Sequence, residues 1–370
     1  MITYEPELIV VNEDYEQSEI TQNVLSFYPN VPIKIIPNRT NEENLALSQN
    51  SGRKVMLLTE HRGKFFKLCP AYGECYTCCN MYTLNLTQNC HFACSYCFLQ
   101  EYMNKHVMTQ FVNLEALFSE MDQMFLKRPD IFFRISTGEL ADSLALDDAT
   151  GLNKALIKYF SKQNNAVLEF RTKSSDIDHL LDIKGHKNTV ISWSIGSDLI
   201  QKEEEHKTAT QLERIKSAAK AARAGYGIAF HFDPMIYFEG YEKEYAQTIQ
   251  WIKDYVPLDS ILWISMGTLR FAPAQRHAMR ENFPNSKLLQ GELLTHSDGK
   301  MRYPVSQRVE MYKWLHQQVE NLNPKIMQYL CMEEAEVWEK VFAHKPGMTN
   351  AKVMAEISQK AKDFFNKVPA

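Results

Sequence analysis

The chain has 370 residues, of which 45% are hydrophobic and 23% are charged, as in an ordinary globular protein. Its formal net charge of −4 gives no support to DNA binding driven mainly by phosphate contacts, because proteins of that class are usually basic. No apolar stretch has the length of a membrane span, and no signal peptide is visible. These features indicate a cytoplasmic protein that does not associate with membranes, and they leave the oligomeric state open.

Residues 1–80 are expected to form a small N-terminal α/β unit that ends in a cysteine-rich loop. Short apolar and β-branched runs predict its strands at 7–11, 33–36 and 54–58. Seven of the eight cysteines lie between Cys69 and Cys97, and Cys331 stands apart in a segment expected to be helical. Disulfides are rare in the cytoplasm, so this clustering indicates metal binding.

Residues 81–267 alternate between strand and helix patterns. Strands are predicted at 82–86, 131–135, 167–171, 190–195, 227–233 and 260–265, and helices at 114–127, 152–163, 177–183, 211–224 and 244–255. Thr210 and Glu213 form a capping-box signature at the start of the fourth helix, and Gly225 stands where that helix should end. The alternation predicts an α/β fold, a partial (β/α)6 parallel barrel whose chemistry gathers at the carboxyl ends of the strands.

Residues 268–370 are less regular. They are expected to form an α-rich C-terminal extension that caps the active site, with helices at 305–320 and 332–341.

The loop after the first barrel strand carries three closely spaced cysteines, Cys90, Cys94 and Cys97, in a C-x3-C-x2-C pattern. Thiolates are soft ligands that suit iron–sulfur clusters, and three on one loop hold three irons of a [4Fe–4S] cluster while the fourth stays open to a small molecule. A zinc site normally has four ligands, and the sequence has no matching second pair of cysteines at zinc-finger spacing. The pattern therefore favours a [4Fe–4S] cluster over zinc.

With this loop the chain resembles the radical SAM superfamily. The resemblance implies that S-adenosylmethionine (SAM) binds the open iron and is cleaved by one electron to methionine and a 5′-deoxyadenosyl radical. That radical would abstract a hydrogen atom from the substrate. The resemblance also implies a reductant as partner, such as flavodoxin or ferredoxin.

Candidates for SAM binding follow the ends of four successive strands. Thr137, Gly138 and Glu139 resemble the Gly-Gly-Glu motif of the superfamily, with Thr137 in place of the first glycine. Glu139 would accept a hydrogen bond from the SAM amine, and Gly138 lets the backbone approach closely. Lys173 is a candidate for the SAM carboxylate or ribose. The complete set at this edge is Glu139, Lys173, Ser194 and Asp233.

Longer segments are similar to one family within the superfamily, the spore photoproduct lyases, which split a thymine dimer in DNA. The matching segments are 94–100, 170–173, 178–181, 192–195, 224–226, 233–234, 239–240, 270–284 and 302–303. By this resemblance Lys173 and Ser194 contact SAM, and Tyr96 is an active-site tyrosine. Arg302 and Tyr303 match a pair near the lesion pocket, where the guanidinium fork would hold a phosphate or a carbonyl.

Two positions depart from the lyase pattern. The lyases have a hydrogen-donor cysteine just after the second strand, and alignment on Asp142 places Glu139 there. They also have a tyrosine directly after the third cluster cysteine, where this chain has Phe98, a residue without an exchangeable hydrogen. We therefore expect this chain to lack the lyase hydrogen relay.

Four upstream cysteines lie outside the lyase pattern: Cys69, Cys75, Cys78 and Cys79. They are candidates for an auxiliary iron–sulfur cluster. A buried or redox-active set of thiols is one alternative, and zinc is another, since Cys75 and Cys78 have ligand spacing. Cys331 is expected in the core, with a hydrogen-donor role as the alternative.

Three functional classes fit these observations. The first is a lyase-like radical SAM enzyme that acts on a nucleic acid or nucleotide. The second is a radical SAM enzyme that modifies a peptide or small metabolite with help from an auxiliary cluster. The third is a non-catalytic iron–sulfur or zinc protein, and the presence of Glu139, Lys173 and Ser194 beside the cluster loop argues against it.

Overall fold

The structure is a computed structural model that describes residues 4–37, 52–70, 76–103 and 106–367. The strands are β1 Leu8–Asn12, β2 Ile33–Ile36, β3 Val55–Thr59, β4 Phe66–Leu68, β5 Tyr82–Leu84, β6 Thr87–Gln88, β7 Ala93–Cys94, β8 Met108–Phe111, β9 Phe133–Ser136, β10 Ala166–Thr172, β11 Thr189–Ser194, β12 Glu205–His206, β13 Gly227–Met235, β14 Ile261–Thr268, β15 Arg270–Phe271, β16 Leu294–Thr295, β17 Met301–Arg302 and β18 Met327–Leu330. The α-helices are α1 Glu19–Phe27, α2 Leu99–Tyr102, α3 Leu114–Lys127, α4 Asp147–Thr150, α5 Leu152–Phe160, α6 Asp178–Leu181, α7 Asp198–Glu204, α8 Gln211–Arg223, α9 Tyr241–Tyr255, α10 Gln275–Asn282, α11 Val305–Leu322, α12 Ala335–Val341 and α13 Asn350–Phe365.

The central sheet has the strand order β18-β14-β13-β11-β10-β9-β5-β4. Its neighbouring strands pair in parallel, except for β4 and β5. All six predicted barrel strands are present, as β5, β9, β10, β11, β13 and β14, and the prediction of an α/β partial parallel barrel is confirmed.

The C-terminal extension contributes one more parallel strand, β18, which the sequence analysis did not predict. Cys331 follows this strand, and its backbone N–H donates to the carbonyl of Met266 on β14 at 2.8 Å. The expectation that Cys331 lies in a helix was therefore wrong. The four residues of β18 are too few for periodicity to distinguish a strand from a helical turn.

Side chains that meet across the sheet show that it is curled. Arg134 on β9 donates to the hydroxyl of Tyr329 on β18 at 2.7 Å, although four strands separate β9 from β18. Glu169 on β10 accepts from Nε of Arg134 at 2.7 Å and bonds to Nε2 of His231 on β13 at 2.6 Å. The carboxyl ends of these strands therefore face a common concave side.

The helices form as their patterns predict. In α3 the buried residues Leu117, Met121 and Phe125 recur every four positions and so lie on one face. At the start of α8 the Thr210 hydroxyl accepts from the Glu213 N–H at 3.2 Å, and the Glu213 carboxylate accepts from the Thr210 N–H at 2.8 Å. This reciprocal pair confirms the predicted capping box.

A second sheet, in the order β2-β1-β3-β8-β6, contains the three predicted N-terminal strands. Its last two strands, β8 and β6, come from beyond residue 80 and flank the loop that carries the cluster cysteines. This sheet therefore supports both ends of that loop. No helix in the described ranges is both long enough and apolar enough to cross a membrane.

Candidate active site at the carboxyl ends of the barrel strands

The cluster loop is the segment from Cys90 to Cys97, and local hydrogen bonds hold it in shape. Its strand β7 pairs antiparallel with β12, which follows α7. The side-chain amide of Gln100 donates to the carbonyls of Cys94 at 3.3 Å, Ser95 at 2.9 Å and Cys97 at 3.2 Å. One glutamine thus fixes the backbone around two of the three predicted ligands.

The three loop cysteines are suited to ligate iron as thiolates. The sulfur of Cys90 accepts hydrogen bonds from the backbone N–H groups of Phe92 and Asp142, and the sulfur of Cys97 accepts one from Leu99. Burial raises the pKa of Cys90 to about 12 and also raises the pKa values of Cys94 and Cys97. Buried thiolates therefore need a positive centre, which the irons of a cluster provide.

The three loop thiols lie near one another. The thiol groups of Cys90, Cys94 and Cys97 interact electrostatically with one another. Within the described ranges, however, no three His, Cys, Asp or Glu side chains converge as ligands of one metal ion. A [4Fe–4S] cluster bonds each thiolate to a different iron, so it spans a wider set of sulfurs than tetrahedral zinc does.

Lys173 lies beside the cluster loop. It follows β10, and its backbone N–H donates to Oδ2 of Asp142 at 2.6 Å. Its ammonium group is 5.7 Å from the centre of the Tyr96 ring, and its charge opposes the raised pKa values of Cys94 and Cys97. The structure therefore brings this predicted SAM-binding residue together with the cluster loop.

Glu139 has a carboxylate oxygen available for a ligand. Oε2 is buried and has no hydrogen-bond partner among the described residues, and burial raises the pKa of the carboxyl group. The loop that carries it packs closely on β10, because a Cβ on Gly138 would lie 2.9 Å from Cβ of Arg171. Only glycine allows this approach. An unpartnered buried acceptor at this place fits the predicted contact with the SAM amine.

Ser194 is the last residue of β11, and Asp233 lies near the end of β13, as predicted. The carbonyl of Ser194 accepts from Nη1 of Arg214 at 2.8 Å, which fixes the strand end. Both carboxylate oxygens of Asp233 accept from Arg270, at 2.7 and 3.0 Å. Burial opposes ionisation of Asp233, yet the Arg270 guanidinium lowers the pKa to about 2. The structure thus gives Asp233 an arginine partner, and its role towards SAM stays a prediction.

Tyr96 is anchored at both ends. Its hydroxyl donates to the carboxylate of Glu205, and its carbonyl accepts from the side chain of Gln275 at 2.9 Å. Sequence reasoning missed Glu205, because Glu203, Glu204 and Glu205 form an acidic run that is typical of a solvated helix end. Only the pairing of β12 with β7 places Glu205 against the cluster loop.

Arg302 and Tyr303 lie on and just after β17 and are buried. Arg302 is 2% exposed and donates to Asp298 at 2.6 Å, to the Met332 carbonyl at 2.9 Å and to the Tyr76 hydroxyl at 3.0 Å. The Tyr303 hydroxyl accepts from the Tyr237 N–H at 3.2 Å. These protein contacts occupy the Arg302 fork, and the catalytic role of both residues stays a prediction.

Two of the upstream cysteines pack against the end of β18. Cys78 and Cys79 are buried and their thiols share a hydrogen bond, while Cys331 lies close enough to interact with both. Cys69 is partly exposed and donates its N–H to the Met81 carbonyl at 2.8 Å. Cys75 lies outside the described residues. The auxiliary cluster therefore stays a prediction.

The comparison with protein families identifies the family. The model described as spore photoproduct lyase matches residues 74–336, which is most of the chain. The chain belongs to the spore photoproduct lyase family. This result confirms the resemblance to a lyase-like branch of the radical SAM enzymes that the motifs indicated.

Individual relatives of the chain are also spore photoproduct lyases. The chain is 30% identical to spore photoproduct lyase of Bacillus subtilis over 210 residues, which span 56% of this chain and 61% of that protein. It is 26% identical to the Clostridium acetobutylicum lyase over 275 residues, which span 72% of this chain and 79% of that protein. The aligned region thus covers less than two thirds of the Bacillus relative.

Solved structures of spore photoproduct lyase share the fold. A lyase variant with bound AdoMet and dinucleoside spore photoproduct superposes with a TM-score of 0.77 at 20% identity, over 89% of this chain and 100% of that one. The lyase complexed with dinucleoside spore photoproduct gives a TM-score of 0.76 at the same identity and coverage. The curled parallel sheet is therefore the fold of these enzymes.

Proposed function

We propose that this protein is a radical SAM enzyme that binds a [4Fe–4S] cluster through Cys90, Cys94 and Cys97 and acts on a nucleic acid or nucleotide. The observation that carries the proposal is the grouping of the three loop thiols with Lys173 at the carboxyl ends of the barrel strands. The similarity to spore photoproduct lyases supports the class of substrate. We also infer a cytoplasmic location and reduction by flavodoxin or ferredoxin.

A cluster held by these thiols would supply the electron that cleaves SAM to methionine and a 5′-deoxyadenosyl radical. The protein orients SAM. Lys173 binds its carboxylate, Oε2 of Glu139 accepts a hydrogen bond from its amine, and the Ser194 hydroxyl provides a third contact. The paired backbone of β10 and β11 keeps Lys173 and Ser194 at a fixed separation, so SAM meets a preformed site.

The reaction ends differently from that of a lyase with a complete hydrogen relay. Returning a hydrogen atom to a product radical requires a weak X–H bond nearby. Phe98 has no exchangeable hydrogen, is 43% exposed and faces the ring of Tyr102 at 5.7 Å. Glu139 stands where the lyase resemblance places a thiol, and its carboxyl O–H bond is too strong to serve. We therefore infer that this chain does not use the cysteine–tyrosine relay.

Anaerobic incubation with SAM and dithionite tests this function. The substrate is dinucleoside spore photoproduct deuterated at the position from which hydrogen is abstracted. We expect SAM cleavage and deuterium in 5′-deoxyadenosine. Cleavage of SAM without deuterium transfer from this or any nucleic acid substrate would contradict the substrate class. A protein that does not cleave SAM would contradict the radical mechanism itself.

A further inference from the structure

Arg171 has a buried side-chain donor that no described residue satisfies. It lies on β10, and its Nε is buried without a hydrogen-bond acceptor. Its backbone is fixed, because its N–H donates to the Ser143 hydroxyl at 3.0 Å and its carbonyl accepts from the Ser143 N–H at 3.1 Å. The side chain therefore projects from a rigid position with its Nε donor unused by the described residues, and an unused buried donor is costly in a native structure.

The neighbouring interior arginines are paired. Arg134 forms an ion pair with Glu169 at 2.6 Å, and Arg270 forms one with Asp233 at 2.7 Å. The carboxylates of Glu169 and Asp233 both interact electrostatically with Arg171, but each is already bonded to another guanidinium. Arg171 is thus the member of this group whose guanidinium fork is left for a ligand.

Arg171 lies one level deeper in the barrel than Lys173. Residues two apart on a strand share a face and are separated by about 7 Å, so Glu169, Arg171 and Lys173 line the concave side in that order. The positive charge of Lys173 lowers the pKa of Cys97 in the cluster loop. The charge of Arg171 instead lowers the pKa values of Asp233 and Cys331, which lie at the ends of other strands. The charge of Arg171 therefore reaches the strand ends that carry Asp233 and Cys331, rather than the cluster cysteines that Lys173 reaches.

We infer that Arg171 binds an anionic group of the substrate, a phosphate or a carboxylate, at the carboxyl ends of the barrel strands. A guanidinium offers two parallel N–H donors, which match two oxygens of such a group. This inference rests on the proposed function, and for a nucleic acid substrate the group is the phosphodiester that bridges the two nucleosides of the lesion.

A thiol also lies within reach of this charge. The Cys79 thiol shares a hydrogen bond with Cys78, and that bond, together with Arg134 and Arg171, lowers its pKa to about 6. Sulfur is a weak hydrogen-bond acceptor. A thiolate at Cys79 would therefore balance part of the charge without satisfying the donors of the guanidinium fork.

Titration calorimetry on the reconstituted enzyme with SAM bound tests the inference. The probes are inorganic pyrophosphate, spore photoproduct dinucleotide with its bridging phosphodiester, and the dinucleoside that lacks it. We expect wild-type protein to bind the dinucleotide about 10- to 100-fold more tightly than the dinucleoside. Arg171→Met should abolish this preference and pyrophosphate binding, and Arg171→Lys should retain part of both. Arg128→Met, which removes an exposed arginine, should retain all of both.

Each other outcome has a distinct meaning. Iron and sulfide content, measured for every variant, reports whether the site has folded. If Arg171→Met keeps the dinucleotide preference and pyrophosphate binding, the inference is wrong and the proposed function stands. If Arg171→Met weakens only SAM binding, the guanidinium serves SAM and the inference is also wrong. If pyrophosphate binding depends on Arg171 but neither nucleic acid probe binds, the anion site is supported and the proposed substrate class is wrong.

Discussion

The hydroxyl of Tyr96 donates a hydrogen bond to the carboxylate of Glu205. Burial opposes ionisation of Glu205, but Arg214 and Lys173 hold its pKa below the usual value. Burial and the Glu205 charge raise the pKa of Tyr96 well above its usual value. Tyr96 is therefore a neutral donor and Glu205 a charged acceptor, and this pair joins the cluster loop to β12.

Replacing Glu205 with Gln should destabilise the protein. The change leaves the Arg214 guanidinium, which is 0% exposed, without its counter-ion at 2.5 Å. Removing one partner of a buried ion pair costs about 3–5 kcal/mol. Urea unfolding of the iron-free protein measures the effect, and Lys202→Gln, which breaks an exposed ion pair of α7, is the matched control with little expected change. A Glu205→Gln variant as stable as wild type would contradict the role assigned to this pair.

His231 should make the protein sensitive to mild acid. Burial lowers the pKa of His231 to about 4 from an ordinary value of 6.5. The unfolded chain therefore binds a proton more readily than the folded one between these values, and stability is lost as the pH falls from 6.5 to 4. His231→Gln should flatten this part of the profile of unfolding free energy against pH. His277→Gln, at an exposed histidine, is the control and should leave the slope unchanged. If the slope is also unchanged in His231→Gln, the acid sensitivity comes from other groups and the prediction is wrong.

Lys173→Ala should weaken SAM binding and leave the cluster in place. A charge-assisted hydrogen bond contributes about 1.5–3 kcal/mol, or roughly 10- to 150-fold in affinity. Equilibrium dialysis with SAM on anaerobically reconstituted protein measures the loss. Lys154→Ala, at an exposed lysine of α5, is the control. Equal SAM affinity in wild type and Lys173→Ala would show that this ammonium group does not contact SAM.

The protein should not return spore thymine dimers to intact thymines at the rate of a true lyase. Both expected relay positions, Glu139 and Phe98, lack a weak X–H bond. The same reasoning predicts that Glu139→Ala impairs SAM binding rather than product quenching. Product analysis by chromatography distinguishes these outcomes. Clean conversion to thymines would require another donor, and Cys331 or Cys79 would then be the thiols to replace first.

The features that sequence revealed are those encoded locally. The cluster loop could be found because its three cysteines are close in sequence, and α3 and α8 because their periodicity and caps are local. Glu205 and Cys331 could not be placed, because their neighbours are set by the pairing of β7 with β12 and of β14 with β18. The partners of Arg302 were also beyond local reasoning, since Asp298, Tyr76 and the Met332 carbonyl meet it only through the fold.

The most direct test of the account is electron paramagnetic resonance of the reconstituted, dithionite-reduced protein before and after addition of SAM. The account predicts a [4Fe–4S] signal that changes when SAM is added and that is absent from Cys90→Ala, Cys94→Ala and Cys97→Ala. Cleavage of SAM should disappear in the same three variants. A wild-type signal that does not respond to SAM, or a cysteine variant that cleaves SAM fully, would contradict it.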